Sequence, residues 1–295
     1  MIGNVDMHEI FRALQRIAAF CDGETGGNPA GVVICEAQLP DAETMQAVAA
    51  EVGYSETAFA APIRDGWRVR YFAPAAEVDF CGHATIALGA ALTLRQDSGK
   101  FALELNRARI TVEGRRGEKG LWGALQSPPT RSEPAEAGLV DETLALFGLG
   151  RDALDARIPP ARATAGARHV ILALRSRELL AAMRYEMAAG RRLAEREGID
   201  TFTLTYAETP QLFHARNPFP IGGIYEDPAT GAAAAALAGY LRDLDWPSGG
   251  AVDIVQGEDM GMRSRLRAEW TPERGASVRV SGAARVIVYE QEQVL

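Results

Sequence analysis

Short β-like runs recur along the chain, and a few helical stretches interrupt them. "GVVIC" (31–35) and "WRVRYFA" (67–73) are rich in β-branched and aromatic residues. Arg68 and Arg70 fall on the opposite parity to Trp67, Val69 and Tyr71, the alternation of a strand with one face buried. "DAETMQAVAAEVG" (41–53) predicts a helix: Met45, Val48, Ala49 and Val52 keep helical spacing, Asp41 suits the N-cap, and Gly53 can end it. The second half runs strand "HVILAL" (169–174), helix "SRELLAAM" (176–183), strand "TFTLTY" (201–206), then a long Ala-rich helix. It closes with strands at "AVDIVQG", "SRLRAEW", "SVRVSG" and "ARVIVYE". The first strand is expected near Ala13, with Met1 to about His8 a loose tail or an alternative start.

"CGHATIALGAAL" (81–92) and "EDPATGAAAAALAGYL" (226–241) echo one another. Each has a polar, turn-like start, then Ala-Thr, then a helix of tiny residues that is apolar nearly all round. A helix of that kind is buried on every side, and its small residues let strands approach closely. Pro, Gly and polar residues in "SPPTRSEPAEAG" (127–138) read as an inter-domain linker. The expectation is two domains, 9–128 and 129–295, each a curved sheet around a central helix, with the last strand free to return to the first domain.

Composition narrows the function class. In 295 residues, 47% are hydrophobic and 24% charged, enough apolar material for a sizeable core. A net charge of -8 argues against nucleic acid as a partner, because phosphate binding needs a basic footprint. No apolar run is long enough to span a bilayer, and the N-terminal stretch lacks an apolar signal core. Three cysteines, Cys21, Cys35 and Cys81, fit free thiols in a reducing cytoplasm better than a disulfide framework.

The starts of the two small-residue helices hold the candidate chemistry. A first helical turn has unpaired N–H groups and a partial positive charge, a ready site for a carboxylate or phosphate. Cys81 and His83 sit at one start, Glu226 and Asp227 at the other. If the echo reflects a pseudo-twofold, both starts face a gap that holds a small anion beside acid/base groups, an arrangement suited to proton removal next to a carboxylate. The plainer readings are an Asp227-Pro228 N-cap with Pro at N1, Cys81 as a small core residue, and His83 as a structural histidine.

Glu56, in "GYSETAFAAP" (53–62), follows a helix-ending Gly and precedes an apolar stretch. Partial desolvation there would suit a group that both takes and gives protons; the plainer reading is a solvated carboxylate at a strand start. "TGGNPAGVV" (25–33) reads as a tight turn exposing backbone amides and the Asn28 side chain, and it lacks the Gly-Lys-Ser/Thr of a phosphate loop. No metal motif is present, since Cys81-x-His83 has no second pair and His8, His169 and His214 are scattered.

"GGNPAGVV", "YSETAFAAP", "RYFAPAAEVDFCGHATIALGAAL", "EDPATGAAAAAL" and "VQGEDMGMRS", in this order, resemble the PhzF-like (phenazine biosynthesis) family over nearly the whole chain. The resemblance implies the diaminopimelate epimerase fold, α/β (α+β), with two pseudo-symmetric domains, each a barrel-like, mostly antiparallel sheet around a central helix. It implies a cofactor-independent isomerase, a small carboxylate substrate between the domains, and often a homodimer. By motif, Glu56 resembles the proton-transferring group, while His83 and Asp227 resemble residues that orient substrate and help move the proton. Asn28, Ser55, Gly82 and Gly231 match positions around the ligand.

Two departures stand out. Many members have Ser where this chain has Ala232, so a hydroxyl that would meet the ligand carboxylate is missing. Members committed to phenazine synthesis tend to lack a Cys at the position of Cys81. The departures point to a relative acting on another small acid. Two other functions remain open: an amino-acid epimerase or racemase using Cys81 with Asp227, and a non-catalytic protein that binds small acids.

Overall fold

A computed structural model describes residues 7–118 and 120–287. The chain divides into two compact units. One holds Asn28–Leu125 with the described residues up to Glu24 and from Gly282 onward; the other holds Thr25–Gly27 and Gln126–Ser281.

In the first unit, helix α1 (Met7–Ala13) leads into β1 (Leu14–Ala19), β2 (Asn28–Ile34), helix α2 (Ala42–Val52), β3 (Thr57–Ile63), β4 (Gly66–Phe72) and the short β5 (Glu77–Val78). Helix α3 (Gly82–Gln96) follows, then β6 (Gly99–Glu104), β7 (Arg109–Gly117) and β8 (Gly120–Gln126). Met7 and His8 are therefore helical, where a loose tail was expected; residues 1–6 of that expectation lie outside the described residues. Around the sheet, β1–β2, β3–β4, β6–β7 and β7–β8 pair antiparallel, while β2–β3 and β4–β6 pair parallel. The last strand, β16 (Arg279–Val286), neighbours both β8 and β1 and closes an eight-stranded barrel.

Helix α3 fills that barrel, with every residue from His83 to Thr93 buried. Small side chains make the fit possible. A Cβ on Gly114 of β7 would stand 2.0 Å from Thr93 Oγ1 and 2.4 Å from the Gly89 carbonyl oxygen of α3. Alternate strand positions face opposite ways. Val32, Ala58 and Ala60 join the inner cluster with α3, whereas Val33 and Phe59 join Met45, Val48 and Ala49 of α2 outside. Asp41 accepts from Thr44 N–H and Gly53 adopts the left-handed conformation, so the predicted caps of α2 hold.

The second unit contains β9 (Arg131–Pro134), α4 (Ala137–Leu146), β10 (Ala161–Thr164), β11 (Arg168–Ala173), α5 (Arg177–Ala181) and α6 (Met187–Glu197). It continues with β12 (Thr201–Ala207), β13 (Leu212–Arg216), α7 (Gly231–Asp243), β14 (Ala251–Gln256) and β15 (Ser264–Glu269), and ends in the first residues of β16. The strand order is β9 to β16 in sequence, parallel at β11–β12 and β13–β14 and antiparallel elsewhere. Ser127 N–H bonds to Val278 O and Thr130 N–H to Gly275 O, drawing the chain ahead of β9 to the chain ahead of β16. Helix α7 packs inside this curved sheet against β9, β10 and β15, and is almost wholly buried. Helices α4, α5 and α6 cover its other face through Leu139, Leu144, Leu180 and Leu193.

Three expectations need correction. The segment read as a linker is an edge strand followed by the start of α4: β9 pairs with β10 from Arg131 to Pro134. "SVRVSG" and "ARVIVYE" are not two strands, because Arg279–Val286 runs unbroken through Gly282; residues 288–290 lie outside the described residues. Asp227 is not the N-cap of α7. That position is Thr230, and Pro228 precedes the helix.

Candidate active site

His83 is the centre of a polar group in the first unit. The turn before β2 uses Gly26 and Gly27 with φ of 61° and 84°, and it delivers buried Asn28 at the strand start. Ser55 and Glu56 occupy the short link between the left-handed Gly53 and β3. Gly31 N–H bonds to the Glu56 carbonyl at 3.2 Å and pins that link to β2. Cys81 is the N-cap of α3 without a side-chain capping bond, and His83 lies in the first turn.

Together these elements surround one imidazole. Asn28 Nδ2 lies 3.2 Å from His83 Nδ1, and Ser55 Oγ lies 3.1 Å from Nε2. Glu56 Oε2 is 3.2 Å from Nε2, and Cys81 Sγ is 3.4 Å from Nδ1. With the Asn28 amide donating to Nδ1, the neutral ring carries its proton on Nε2, facing Ser55 and Glu56. The Glu56 side chain is only 14% exposed, so the solvated reading of this carboxylate does not hold. Its Oε2 is buried and makes no aligned hydrogen bond among the described residues. Behind the group, Thr85 Oγ1 donates to the Cys81 carbonyl at 2.6 Å and accepts from Tyr71 at 2.7 Å. Burial pushes the Tyr71 hydroxyl pKa well up, so it stays a neutral donor tying β4 to the first turn of α3.

Glu56, Cys81 and His83 also bring a carboxylate oxygen, a thiol sulfur and a ring nitrogen within 4.8 Å of one another. That donor set suits a borderline-soft divalent ion such as zinc. Linear spacing between Cys81 and His83 gave no sign of it, because the third donor comes from another element. Cys21 and Cys35 are free thiols outside this trio.

The second unit carries its own polar group at the start of α7. Glu226 and Asp227 are both buried. Glu226 forms a two-pronged pair with Arg216, at 2.9 Å from Nε and 2.5 Å from Nη2. Burial is the largest single influence and disfavours the Arg216 charge, but the hydrogen bonds to Glu226 together with the nearby negative charges of Glu226 and Asp259 outweigh it, and the guanidinium pKa rises. Asp227 N–H bonds to the Asn217 carbonyl at 3.0 Å, and the Thr230 hydroxyl donates to Asp227 Oδ2. Gly231, buried, opens α7, with half-buried Ala232 next. Gly82 opens α3 in the same manner. His214 pairs with Glu208 at 2.6 Å. His169 is fully buried, with its pKa pushed down to about 4 by desolvation, and is therefore neutral.

The sequence profile described as "Phenazine biosynthesis-like protein" (PhzC-PhzF) matches residues 17–290. The chain belongs to the PhzF family. An uncharacterized isomerase of Deinococcus radiodurans is 33% identical over 287 residues, covering 92% of this chain and 91% of that protein. The trans-2,3-dihydro-3-hydroxyanthranilate isomerase of Pseudomonas aeruginosa is 32% identical over 276 residues, covering 90% and 94%. Among solved structures, a Bacillus anthracis phenazine biosynthesis protein of the PhzF family superposes with a TM-score of 0.82 at 22% identity, covering 93% and 96%. This PhzF-family chain is thus an isomerase with the diaminopimelate epimerase-like fold expected from its motifs. A small-molecule substrate follows from the isomerase relatives. No helix among the described residues is long and apolar enough to cross a membrane.

Sequence reasoning missed the supports of both groups: Tyr71 and Thr85 in the first unit, and Arg216, Asn217, Thr230 and Gln256 in the second. One signal was available. In "TFTLT", Thr201, Thr203 and Thr205 share a parity on a strand otherwise apolar, and all three are buried. A buried polar stripe needs partners: Thr201 meets His169, Thr203 donates to Asn217, and Thr205 donates to the His214 carbonyl.

Proposed function

We propose that the protein catalyses a cofactor-independent proton shift on a small carboxylate-bearing substrate, with Glu56 taking the proton from one carbon and returning it to another. The C–H bond breaks onto the Glu56 carboxylate, a double bond moves, and the same carboxyl group delivers its proton at the new position. The reading is carried by one observation: a buried Glu56 Oε2 with no aligned donor, 3.2 Å from an imidazole held by Asn28 and Ser55. A base already saturated by donors would be a poorer proton acceptor. His83 orients the substrate and assists the transfer from its Nε2 side. Asp227 is proposed to bind polar groups of the substrate. Asn28, Ser55, Gly82, Gly231 and Ala232 are proposed as its contacts, with the first-turn amides of α3 and α7 receiving a carboxylate.

The relative named trans-2,3-dihydro-3-hydroxyanthranilate isomerase suggests the substrate type, a small acid with amino or hydroxyl groups. Ala232 and Cys81 favour an acid other than that one. The test is NMR-detected deuterium wash-in from deuterated water over a panel of cyclic and acyclic acids that includes trans-2,3-dihydro-3-hydroxyanthranilate. Glu56→Gln is expected to lower exchange at least about 10²-fold while binding persists. Cys81→Ser is expected to keep exchange within several-fold. Retained exchange in Glu56→Gln, with loss in Cys81→Ser, would overturn the proposal in favour of a thiol-based epimerase. Binding without exchange by any acid would favour the binding-protein reading.

A further inference from the structure

The hydrogen bonds around Asp227 leave its neighbours almost no rotational choice. Gln256 Oε1 lies 3.3 Å from Thr230 N–H, and its Nε2 lies 2.7 Å from the Asp227 carbonyl. A backbone N–H can only donate and a carbonyl only accept, so the Gln256 amide is fixed in one orientation. Its Nε2, 3.0 Å from Thr230 Oγ1, must then donate to that hydroxyl. Asn217 presents Oδ1 to the Thr203 hydroxyl at 2.8 Å and to Thr201 at 3.5 Å, so its Nδ2, 3.0 Å from Thr230 Oγ1, donates as well. A hydroxyl has two acceptor positions and one proton. Both acceptor positions of Thr230 are taken, and the proton has one remaining partner, Asp227 Oδ2.

The polar row continues upstream to Thr201 and His169. Thr201 Oγ1 lies 2.7 Å from His169 Nδ1. The donors of Asn217 and Thr230 run in one direction toward Asp227, and hydrogen bonds aligned in this way polarise one another.

We propose that Thr230, its proton steered by Asn217 and Gln256, is a positioning residue that holds Asp227 as an ionised, acceptor-only carboxylate, which anchors an amino or hydroxyl donor of the substrate and does not itself supply a proton. The anchoring role rests on the function proposed above for Asp227; the steering of the hydroxyl does not. Thr230 acts through Asp227. It differs from a plain helix cap, because as the N-cap of α7 it makes no side-chain capping bond.

The experiment follows the carboxyl carbon of Asp227 by NMR through a pH titration of the full chain, the signal being assigned by its loss in Asp227→Asn. Thr230→Val keeps the shape and both backbone bonds to Gln256 and removes only the hydroxyl. Its Asp227 midpoint is expected to rise by about one unit or more, a tenfold gain in proton affinity. Thr230→Ser is expected to return it to the wild-type value. The Arg216–Glu226 pair next to Asp227 and the distant His169 are common to all variants, so the difference reports the hydroxyl. Asn217→Ala leaves the hydroxyl free to turn and should give a smaller rise; it decides the matter if Thr230→Val does not fold. In the deuterium assay, Thr230→Val should raise KM for donor-bearing acids more than it lowers kcat, with rescue by Ser. A midpoint in Thr230→Val or Asn217→Ala within about 0.3 units of wild type, or a wild-type Asp227 protonated at neutral pH, overturns the proposal. Absence of exchange in the wild type with the expected midpoints would sink the isomerase mechanism and leave the steering intact.

Discussion

Loss of the Glu226 carboxylate is expected to destabilise the second unit strongly. Arg216 and Glu226 have side chains only 8% and 3% exposed. Besides its two bonds to Glu226, Arg216 Nη1 donates to the carbonyls of Ala181 at 2.9 Å and Met183 at 3.2 Å, at the end of α5. Glu226→Ala leaves a guanidinium buried with carbonyls and only the Asp259 carboxylate, 4.0 Å from Nε, as counter-charge. Breaking a buried pair in this way costs about 3–5 kcal/mol, or roughly a hundredfold to several thousandfold in the folding constant. With a urea m-value of about 3 kcal/mol/M, the midpoint should fall by roughly 1–1.7 M. Arg216→Met with Glu226→Leu removes both charges and should recover much of the loss, since apolar replacement of a buried pair is often neutral. Urea unfolding followed by circular dichroism on the two single variants and the double variant provides the cycle. A loss below about 1 kcal/mol in Glu226→Ala would show that the pair behaves as a solvated surface bridge and refute the reasoning.

Other expectations concern stability and pH. His169 is neutral when folded, with a pKa of about 4 against an ordinary value of 6.5. The unfolded chain binds the extra proton first, so stability should fall as pH drops from about 6.5 to 4, by up to about 3 kcal/mol. His169→Gln should flatten that part of the stability–pH curve, and an unchanged slope would count against a buried neutral imidazole. Gly114→Ala would place a methyl against Thr93 Oγ1 and the Gly89 carbonyl. It should cost about 1–3 kcal/mol or more in chemical denaturation, and adding Thr93→Ala should not restore it because the backbone oxygen remains.

How much of this was legible depended on whether the information was local. The caps of α2 rest on Asp41, Thr44 and Gly53, neighbours in sequence, and they were readable. The small, all-apolar composition of α3 and α7 announced their burial. Asp227-Pro228 has the composition of a helix start, yet Thr230 is still extended, with φ of −115° and ψ of 94°. Asp227 is held instead by Asn217 and Thr230, through a partner ten residues upstream. Gly282 suggested a break in a strand that passes through it. The polar residues of 131–134 suggested a linker, although an edge strand tolerates charge because only one side must pair. The group around His83 was legible as candidates through family motifs, but its mutual geometry was not, since it joins segments 28, 55–56 and 81–83.

The closing strand imposes an order on events during synthesis. Ile17–Ala19 of β1 leaves the ribosome long before its partners, Ala284–Val286 of β16. At about 5–20 residues per second, translation of the roughly 265 intervening residues takes on the order of 13–53 s. Throughout that interval the nascent first barrel has an open seam, with the backbone of β1 exposed to any other extended chain. The same seam makes the C-terminal strand a latch. Removal of Ala284–Val286 would leave the barrel open at that seam, with no residue near His83 touched.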